Sequence, residues 1–589
     1  MRKLLIALTV ISMLMSAVPP LAYAVGKHKT YTDSENVSEY FDRSMEQIIA
    51  AKKAKGAVAV FVQDGEVVMS KGYGYADEFL DFKSDNERTG FRIGSISKTF
   101  VAAAALKAME DGKIDMNADI SLYLEQDAPK LKYPVTMEHL LTHTAGFEEV
   151  VTGMAVENIS DTELLSVTVK KYVPTQIFKP GEVASYSNYG IALAAYVLER
   201  ATGIDFADYC MNNIFLPLGM NRTTFKHMHD TVYVSKAYLP DGRETTEPYM
   251  NLYPEGSAVS TAEDMGKYIQ WLLSEDDVIL RKENKEKLFA RQFYMADALS
   301  GIGYVWNRKE RNGSIYLEKK GETLNFYSRI ALYPDKKTGY FLSFNTYVPE
   351  DEINEITSQI TTLLLGEKEI AEDIPGATID ISGCYVNAWS SLNTSEKLLR
   401  FIVPGKMADI SGSLKEGYTF NDEKITHLGN NSYSTPLGTV KFIQRDGKVL
   451  MATDFSQTYI RINGLENKGV TMITTILFLI SSLICSASCF IMRKRNAGLM
   501  LGAISLLQVI LFFALVYMLY LGAVNFEMLN YVVYIRIAAW LMVLAAAANI
   551  MLTFIKQRDY YEKPLRCIYF HNAISAAFCL MMLNMRLLL

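Results

Sequence analysis

The chain is 589 residues long, half apolar, with a formal net charge of −6. That length is too great for one domain, and no basic face or aromatic–basic run is present, which excludes a nucleic-acid surface. The apolar excess gathers at the two ends.

The N-terminus reads Met1-Arg2-Lys3, then an apolar stretch from Leu4 to Val18, then Leu21-Ala22-Tyr23-Ala24. A basic start, a short apolar run and an Ala-x-Ala end predict a signal peptide over 1–24. Residues 33–54 read as a helix. Ala57 to Val62 and Val67 to Met69 flank Asp64-Gly65 and read as a hairpin.

Arg92-Ile-Gly-Ser-Ile-Ser-Lys-Thr-Phe100 then leads into an alanine-rich helix over 101–110. Ser95 falls at its N-terminus and Lys98 one turn on. Residues three apart share a helix face, so the amine reaches the hydroxyl. A serine is a poor nucleophile until a neighbour takes its proton, and this spacing supplies one without a histidine. Alone, the pair reads equally as a helix cap and a solvated lysine.

A helix-rich stretch continues to about 290. Strands follow at 314–317, 326–333 and 340–345, and a helix at 352–365. Strands at both ends with helices between predict one sheet with an inserted helical subdomain. Gly366 to Ala377, charged and holding Pro375, reads as a boundary. Residues 378–465 read as short strands, with a second Asp-Gly turn at 446–447, enough for a small barrel or sandwich.

Apolar runs at 470–492, 498–522, 531–555 and 567–588 each suffice to cross a bilayer. Arg493-Lys494-Arg495 separates the first two, and Lys556, Arg558, Lys563 and Arg566 the last two. The positive-inside rule puts both basic loops in the cytoplasm and everything before the first span outside. Of six cysteines, Cys485, Cys489, Cys567 and Cys579 lie in these runs, and Cys210 and Cys384 read as free thiols.

Two further segments bear on Ser95. Lys179-Pro-Gly-Glu-Val-Ala-Ser-Tyr186-Ser-Asn188-Tyr-Gly190 places Tyr186 and Asn188 in a loop before a helix over 191–202. Glu318-Lys319-Lys320-Gly321-Glu322-Thr-Leu-Asn325-Phe326 enters a strand pair, where Gly321 allows close backbone approach.

In order and spacing, Ser95/Lys98, Tyr186/Asn188 and Lys319/Gly321 resemble the Ser-x-x-Lys, Tyr-x-Asn and Lys/His-x-Gly motifs of the penicillin-recognising serine hydrolases: class C β-lactamases, D,D-carboxypeptidases and β-lactamase-related peptidases and esterases. Leu140 to Phe147 and Pro254-Glu255-Gly256 with Ser260 to Met265 resemble further elements of that family. The likeness covers roughly 35–365.

It implies an α/β (α+β) fold: a β-lactamase/transpeptidase-like antiparallel sheet flanked by helices, over 33–366. A small lipocalin-like β-barrel over 378–465 and a four-helix transmembrane segment over 470–588 follow. It also implies that Ser95 attacks a carbonyl to form an acyl-enzyme, with the backbone N–H groups of Ser95 and Glu322 as oxyanion hole. The base is Lys98, made easier to deprotonate by Lys319, or Tyr186, whose phenolate the flanking cations favour; the two form one titrating unit. Asn188 orients Lys98 or a substrate amide, and Lys319, Gly321 and Asn325 line the substrate site.

Two positions depart from the pattern. Glu322 stands where a small residue is usual and Asn325 where glycine is. Asparagine before Phe326 resembles the membrane-tethered peptidases that remove an N-acyl-D-asparagine cap, although those are described with three membrane helices and no β module.

His139 and His143, four apart, lack a third metal ligand and read as structural. Trp271 and Trp306 read as core. No Gly-x-Ser-x-Gly elbow or phosphate loop is present, and neither metal nor cofactor is implied.

The resulting expectation is an exported, membrane-anchored serine peptidase acting on a small peptide or acylated D-amino acid, its catalytic part extracytoplasmic. A β-lactamase or esterase, and a non-catalytic penicillin-binding sensor, are the alternatives.

Overall fold

The computed structural model describes residues 36–588, except 227–231, 368–373, 375, 402–404, 454–456, 463–465, 492–495, 525–527 and 557–561. The expected signal peptide lies outside them.

Helix α1 (Val37–Ala50) is capped by Asn36, whose side chain accepts the Glu39 N–H. Strands β1 (Gly56–Gln63) and β2 (Glu66–Asp77) form the expected hairpin. Its turn residues Asp64 and Gly65 both have positive φ, +54° and +82°, as the strand twist demands of a two-residue turn. Strands β3 (Phe82–Lys83) and β4 (Thr89–Arg92) precede α2 (Ser97–Glu110). Helices α3 (Met137–Leu141), α4 (Asn188–Thr202) and α5 (Ala262–Leu273) belong to the helix-rich middle. Strands β5 (Asn307–Arg311), β6 (Ser314–Glu322), β7 (Tyr327–Tyr333) and β8 (Thr338–Phe344) lead to α6 (Glu350–Leu365).

All of these strands but β4 make one antiparallel seven-stranded sheet in the order β5-β6-β7-β8-β1-β2-β3. The last part of the chain therefore pairs with the first, Ala57 facing Phe344. Alternate residues of β1 serve two cores. Val58, Val60 and Val62 face the cluster built on α2, α4 and α5. Ala57, Ala59 and Phe61 face α1 and α6. Trp271 and Trp306 are buried in the first cluster.

Residues 383–462 form a nine-stranded antiparallel sheet. Its strands are β9 (Gly383–Asn387), β10 (Met407–Ser413), β11 (Gly417–Phe420), β12 (Glu423–Lys424), β13 (Thr426–His427), β14 (Ser432–Thr435), β15 (Gly438–Arg445), β16 (Lys448–Thr453) and β17 (Thr458–Ile462). Each pairs with its neighbour in sequence except β12 with β13, and β17 returns to β9. The outcome is an up-and-down sheet whose two edge strands, β12 and β13, follow one another in sequence, with a core that includes Tyr385, Tyr433 and Phe442.

Four helices follow: α7 (Lys468–Ile491), α8 (Asn496–Val524), α9 (Met528–Lys556) and α10 (Glu562–Asn584). Each holds a stretch long and apolar enough to cross a membrane, Gly469–Ser488, Leu499–Leu519, Val533–Ile555 and Arg566–Asn584.

Candidate active site

Ser95 lies in a 3₁₀ turn, Gly94–Ile96, that runs straight into α2. The turn is clamped from the Pro254–Ala258 side: Ile93 N–H donates to Ala258 O at 3.0 Å, and Ala258 N–H to Ser97 Oγ at 3.1 Å. β6 presses from the other side. A Cβ on Gly321 would sit 1.9 Å from Ile93 O, and one on Gly94 2.5 Å from Glu322 N. Gly94 also has φ +51°, so glycine is required twice over. This approach brings the Ser95 turn and the Glu322 backbone together. Glu322 itself is exposed.

Lys98 is fully buried and donates to Ser95 Oγ at 2.7 Å, to Glu255 O at 2.6 Å and to Glu255 Oε2 at 2.5 Å. Three acceptors use all three N–H bonds of an ammonium. Burial pulls its pKa down, but Glu255 and Tyr186 more than offset this, and it ends above the usual lysine value. The expectation that Lys319 would make Lys98 easier to deprotonate therefore fails, because the carboxylate of Glu255 dominates. Glu255 carries no catalytic signal in the sequence beyond its place in the Pro254-Glu255-Gly256 element.

Tyr186 OH lies 2.8 Å from Ser95 Oγ. Burial raises its phenol, and Lys98 opposes this without reversing it, so the expected easier phenolate is corrected too. His143, at φ +56°, fixes this loop: its carbonyl accepts Ser185 N–H at 2.8 Å and its Nδ1 accepts Ser187 N–H at 3.2 Å. Its ring packs on Tyr186, centroids 4.4 Å apart. Burial, then the charges of Lys319 and Lys98, hold His143 well below the usual range, so it is neutral. His139 Nδ1 instead accepts the Thr136 N–H at the start of α3. The two histidines thus have separate structural partners.

Lys319 is buried, its Nζ 5.0 Å from the Tyr186 ring centroid, and among the described residues no carboxylate pairs with it. Burial, then Lys98, depress it well below the lysine range. Asn325 turns to Glu247, which accepts its N–H at 2.7 Å and its Nδ2 at 2.8 Å.

Asn188 starts α4 rather than standing in the loop, with Ser187 as the cap. Its Nδ2 donates to Glu149 Oε1 at 3.0 Å rather than meeting the Lys98 ammonium, whose three hydrogen bonds go to Ser95 and Glu255. Glu149 Oε2 accepts Trp389 Nε1–H at 2.8 Å, and Trp389 packs edge-on against Tyr186, centroids 4.9 Å apart. Lys406 Nζ lies 3.4 Å from the Trp389 centroid. Burial raises Glu149 and lowers Lys406, each partly restoring the other. None of Glu149, Trp389 and Lys406 carried a sequence signal, since the contact joins positions 240 residues apart.

The sheet with helices on both faces, and the serine held between a buried lysine and a tyrosine, define a β-lactamase/transpeptidase-like protein. The model of the β-lactamase family matches residues 41–361, and the chain belongs to that family. A Bacillus subtilis protein named for penicillin binding, PbpX, is 30% identical over 274 residues, 45% of this chain and 66% of that one. Protein flp of Staphylococcus aureus is 26% identical over 334 residues, 53% of this chain and 64% of that one. The matched part thus spans just under two thirds of these relatives. The crystal structure of SurE aligns over 72% of this chain and all of its own, at TM-score 0.52 and 16% identity, a likeness of fold.

Proposed function

We propose that the chain is a membrane-anchored serine hydrolase that cleaves an amide beside a D-residue through a Ser95 acyl-enzyme. The observation that carries the reading is the convergence on Ser95 Oγ of Lys98 Nζ at 2.7 Å and Tyr186 OH at 2.8 Å. With its N–H bonds committed, Lys98 acts as a fixed cation beside the reacting oxygen, and Tyr186 in its phenolate form takes the Ser95 proton. Oγ bonds to the carbonyl carbon, and the amine leaves with the proton from Tyr186. Water then attacks the ester carbon and gives its proton to Tyr186; the bond from that carbon to Oγ breaks, the acid product leaves, and Tyr186 returns the proton to Ser95 Oγ. The N–H groups of Ser95 and Glu322 hold the developing oxyanion; one such donor contributes about 3–4 kcal/mol to the barrier.

In this reading 33–366 is the hydrolase unit, 378–465 a β module and 470–588 the anchor. A D-residue is supported by the SurE neighbour, which has also been solved with D-Leu, and a cell-wall peptide by the penicillin-binding name of PbpX. Lys319, Gly321 and Asn325 are assigned to substrate binding. In the test, full-length protein in detergent is treated with a fluorophosphonate and assayed on N-acyl-D- and L-dipeptides. Ser95→Ala should lose labelling and turnover together, with D-substrates preferred by wild type. Turnover that survives Ser95→Ala ends the reading.

A further inference from the structure

The β module is bonded to both of its neighbours. Towards the hydrolase unit, Arg445 donates to Glu182 O at 2.9 Å, and Glu148 Oε2 accepts the N–H groups of Leu392 and Asn393, both at 2.7 Å. Towards the anchor, Lys397 pairs with Glu466 at 2.5 Å and donates to Asn584 O, at the end of α10, at 3.2 Å. Between these contacts a cavity of about 650 Å³ remains. Its apolar wall is drawn from all three parts: Ile177 and Phe178 from the hydrolase unit, Val386 and Ile460 from the β module, Leu580 and Leu583 from α10.

The charged lining is cationic. Lys397, Lys448, Arg461 and Arg586 stand against Glu466, the one carboxylate among the described residues that line the cavity. Lys397 and Arg400, at 2.5 and 3.3 Å, already cover that carboxylate. Arg461 reaches the Asp380 carboxylate only at 3.9 Å. Lys448 and Arg586 have no ion-pair partner among the described residues. Arg586 also stands where an arginine is unfavoured. Its N–H donates to Leu583 O at 3.0 Å and the Leu587 N–H to Met582 O at 3.1 Å, the paired bonds of a Schellman turn. Arg586 takes the left-handed position of that turn, φ +59°, where glycine is the usual residue. Glycine would end the helix with less strain, so what the arginine adds there is charge in the cavity.

The cavity stands at a defined height. The apolar stretch Arg566–Asn584 ends two residues before Arg586, so in a bilayer this cation lies at the level of the headgroups. Leu580 and Leu583, three apart on one helix face, are 60% and 43% exposed and lead from the cavity into hydrocarbon. An occupant that satisfies both walls carries negative charge at the surface and an apolar chain below it. We propose that the cavity holds an anionic phospholipid, its phosphate among Lys448, Arg461 and Arg586 and its upper acyl chain against Phe178, Leu580 and Leu583. The lipid joins the hydrolase unit, the β module and the anchor at one point. This goes beyond the acyl-enzyme reading and needs only that α10 crosses a bilayer.

The test uses full-length protein in detergent and a phosphatidylglycerol with a diazirine on its acyl chain, the labelled residues being mapped by mass spectrometry. Label is expected on Ile177 or Phe178, which belong to the hydrolase unit and not to the outer face of the bundle. Unlabelled phosphatidylglycerol should displace it at a concentration about tenfold lower than phosphatidylcholine, and glycerol 3-phosphate should leave it in place. One cation at a membrane surface is worth about fivefold in affinity for an anionic lipid, so Arg586→Gly and Lys448→Gln should each raise the phosphatidylglycerol needed by about that factor. Arg586→Gly eases the left-handed turn and Lys448 is exposed, so both variants keep the fold. Absence of label on Ile177 and Phe178, equal competition by phosphatidylcholine, displacement by glycerol 3-phosphate, or competition unchanged in both variants overturns the proposal. Ser95→Ala should bind the lipid as wild type does, so failure of the acyl-enzyme reading leaves this inference standing.

Discussion

Around Ser95 the decisive interaction is the Lys98–Glu255 pair, at 2.5 Å and almost wholly buried. Lys98 and Tyr186 both sit above their ordinary values, and acylation needs a proton to leave this group, so the rate should rise with pH through neutrality. Glu255→Gln removes a carboxylate that raises both Lys98 and Tyr186. The Tyr186 phenol then falls, and the ascending limb of the acylation profile should move to lower pH. Leaving the ammonium unpaired should also cost about 3–5 kcal/mol of stability, read as a lower melting temperature. A limb that stays in place would show that the group setting it does not feel Glu255, and so is not Tyr186. Tyr186→Phe keeps the packing on His143 and Trp389 but removes the hydroxyl proposed to carry the proton, and acylation should drop about 10²–10⁴-fold with little change in melting. Ser95, Lys98 and Tyr186 were legible because short motifs fix local geometry. The charge states were not, because they depend on Glu255, 157 residues from Lys98 in sequence.

Among the elements, β6 and the Ser95 turn work as one unit because two glycines let their backbones touch. Gly321→Ala would force the strand off Ile93 O and open the space between the Ser95 and Glu322 N–H groups. A displacement of about 1 Å is enough to lower the acylation rate about 100-fold. The check is single-turnover labelling beside a circular dichroism melt, and wild-type labelling would show that the strand adapts. The α4 cap is a milder case: Ser187 Oγ accepts Gly190 N–H at 3.0 Å, and Ser187→Ala should cost about 1 kcal/mol. Turns and strand periods made the hairpins at 64–65 and 446–447 readable from sequence, since Asp-Gly satisfies positive φ at both positions. The extent of α4 was missed because its first turn carries Asn188 and Gly190, which look like loop until Ser187 is recognised as the cap.

Across the whole molecule, the four-helix bundle has its polar groups inside and its apolar groups outside. His571 is fully buried, 3.0 Å from Gln508 and 3.2 Å from Ser481, whereas Ile510, Leu544 and Phe554 are exposed. Helices surrounded by lipid take this arrangement, because hydrocarbon offers no hydrogen bonds. Both ends of the bundle lie on the β-module side: Lys397 pairs with Glu466, just before α7, and donates to Asn584 O at the end of α10 at 3.2 Å. An even number of spans must return to its starting side. In the sequence, Arg493-Lys494-Arg495 fall between α7 and α8, and Arg558 falls between α9 and α10, with Lys556 and Lys563 in the adjoining helix ends. Alkaline phosphatase, active only after export, should therefore be active when fused after α10 and inactive when fused at Arg495. The reverse order would put the Ser95 site in the cytoplasm and remove cell-wall peptides from its reach, and equal activity at both sites would overturn the four-span arrangement. The chain pattern alone predicts this sidedness. The added argument from structure is that the same Lys397–Glu466 pair ties the anchor to the segment bearing Trp389, so the orientation of the bundle and of the catalytic site are one question.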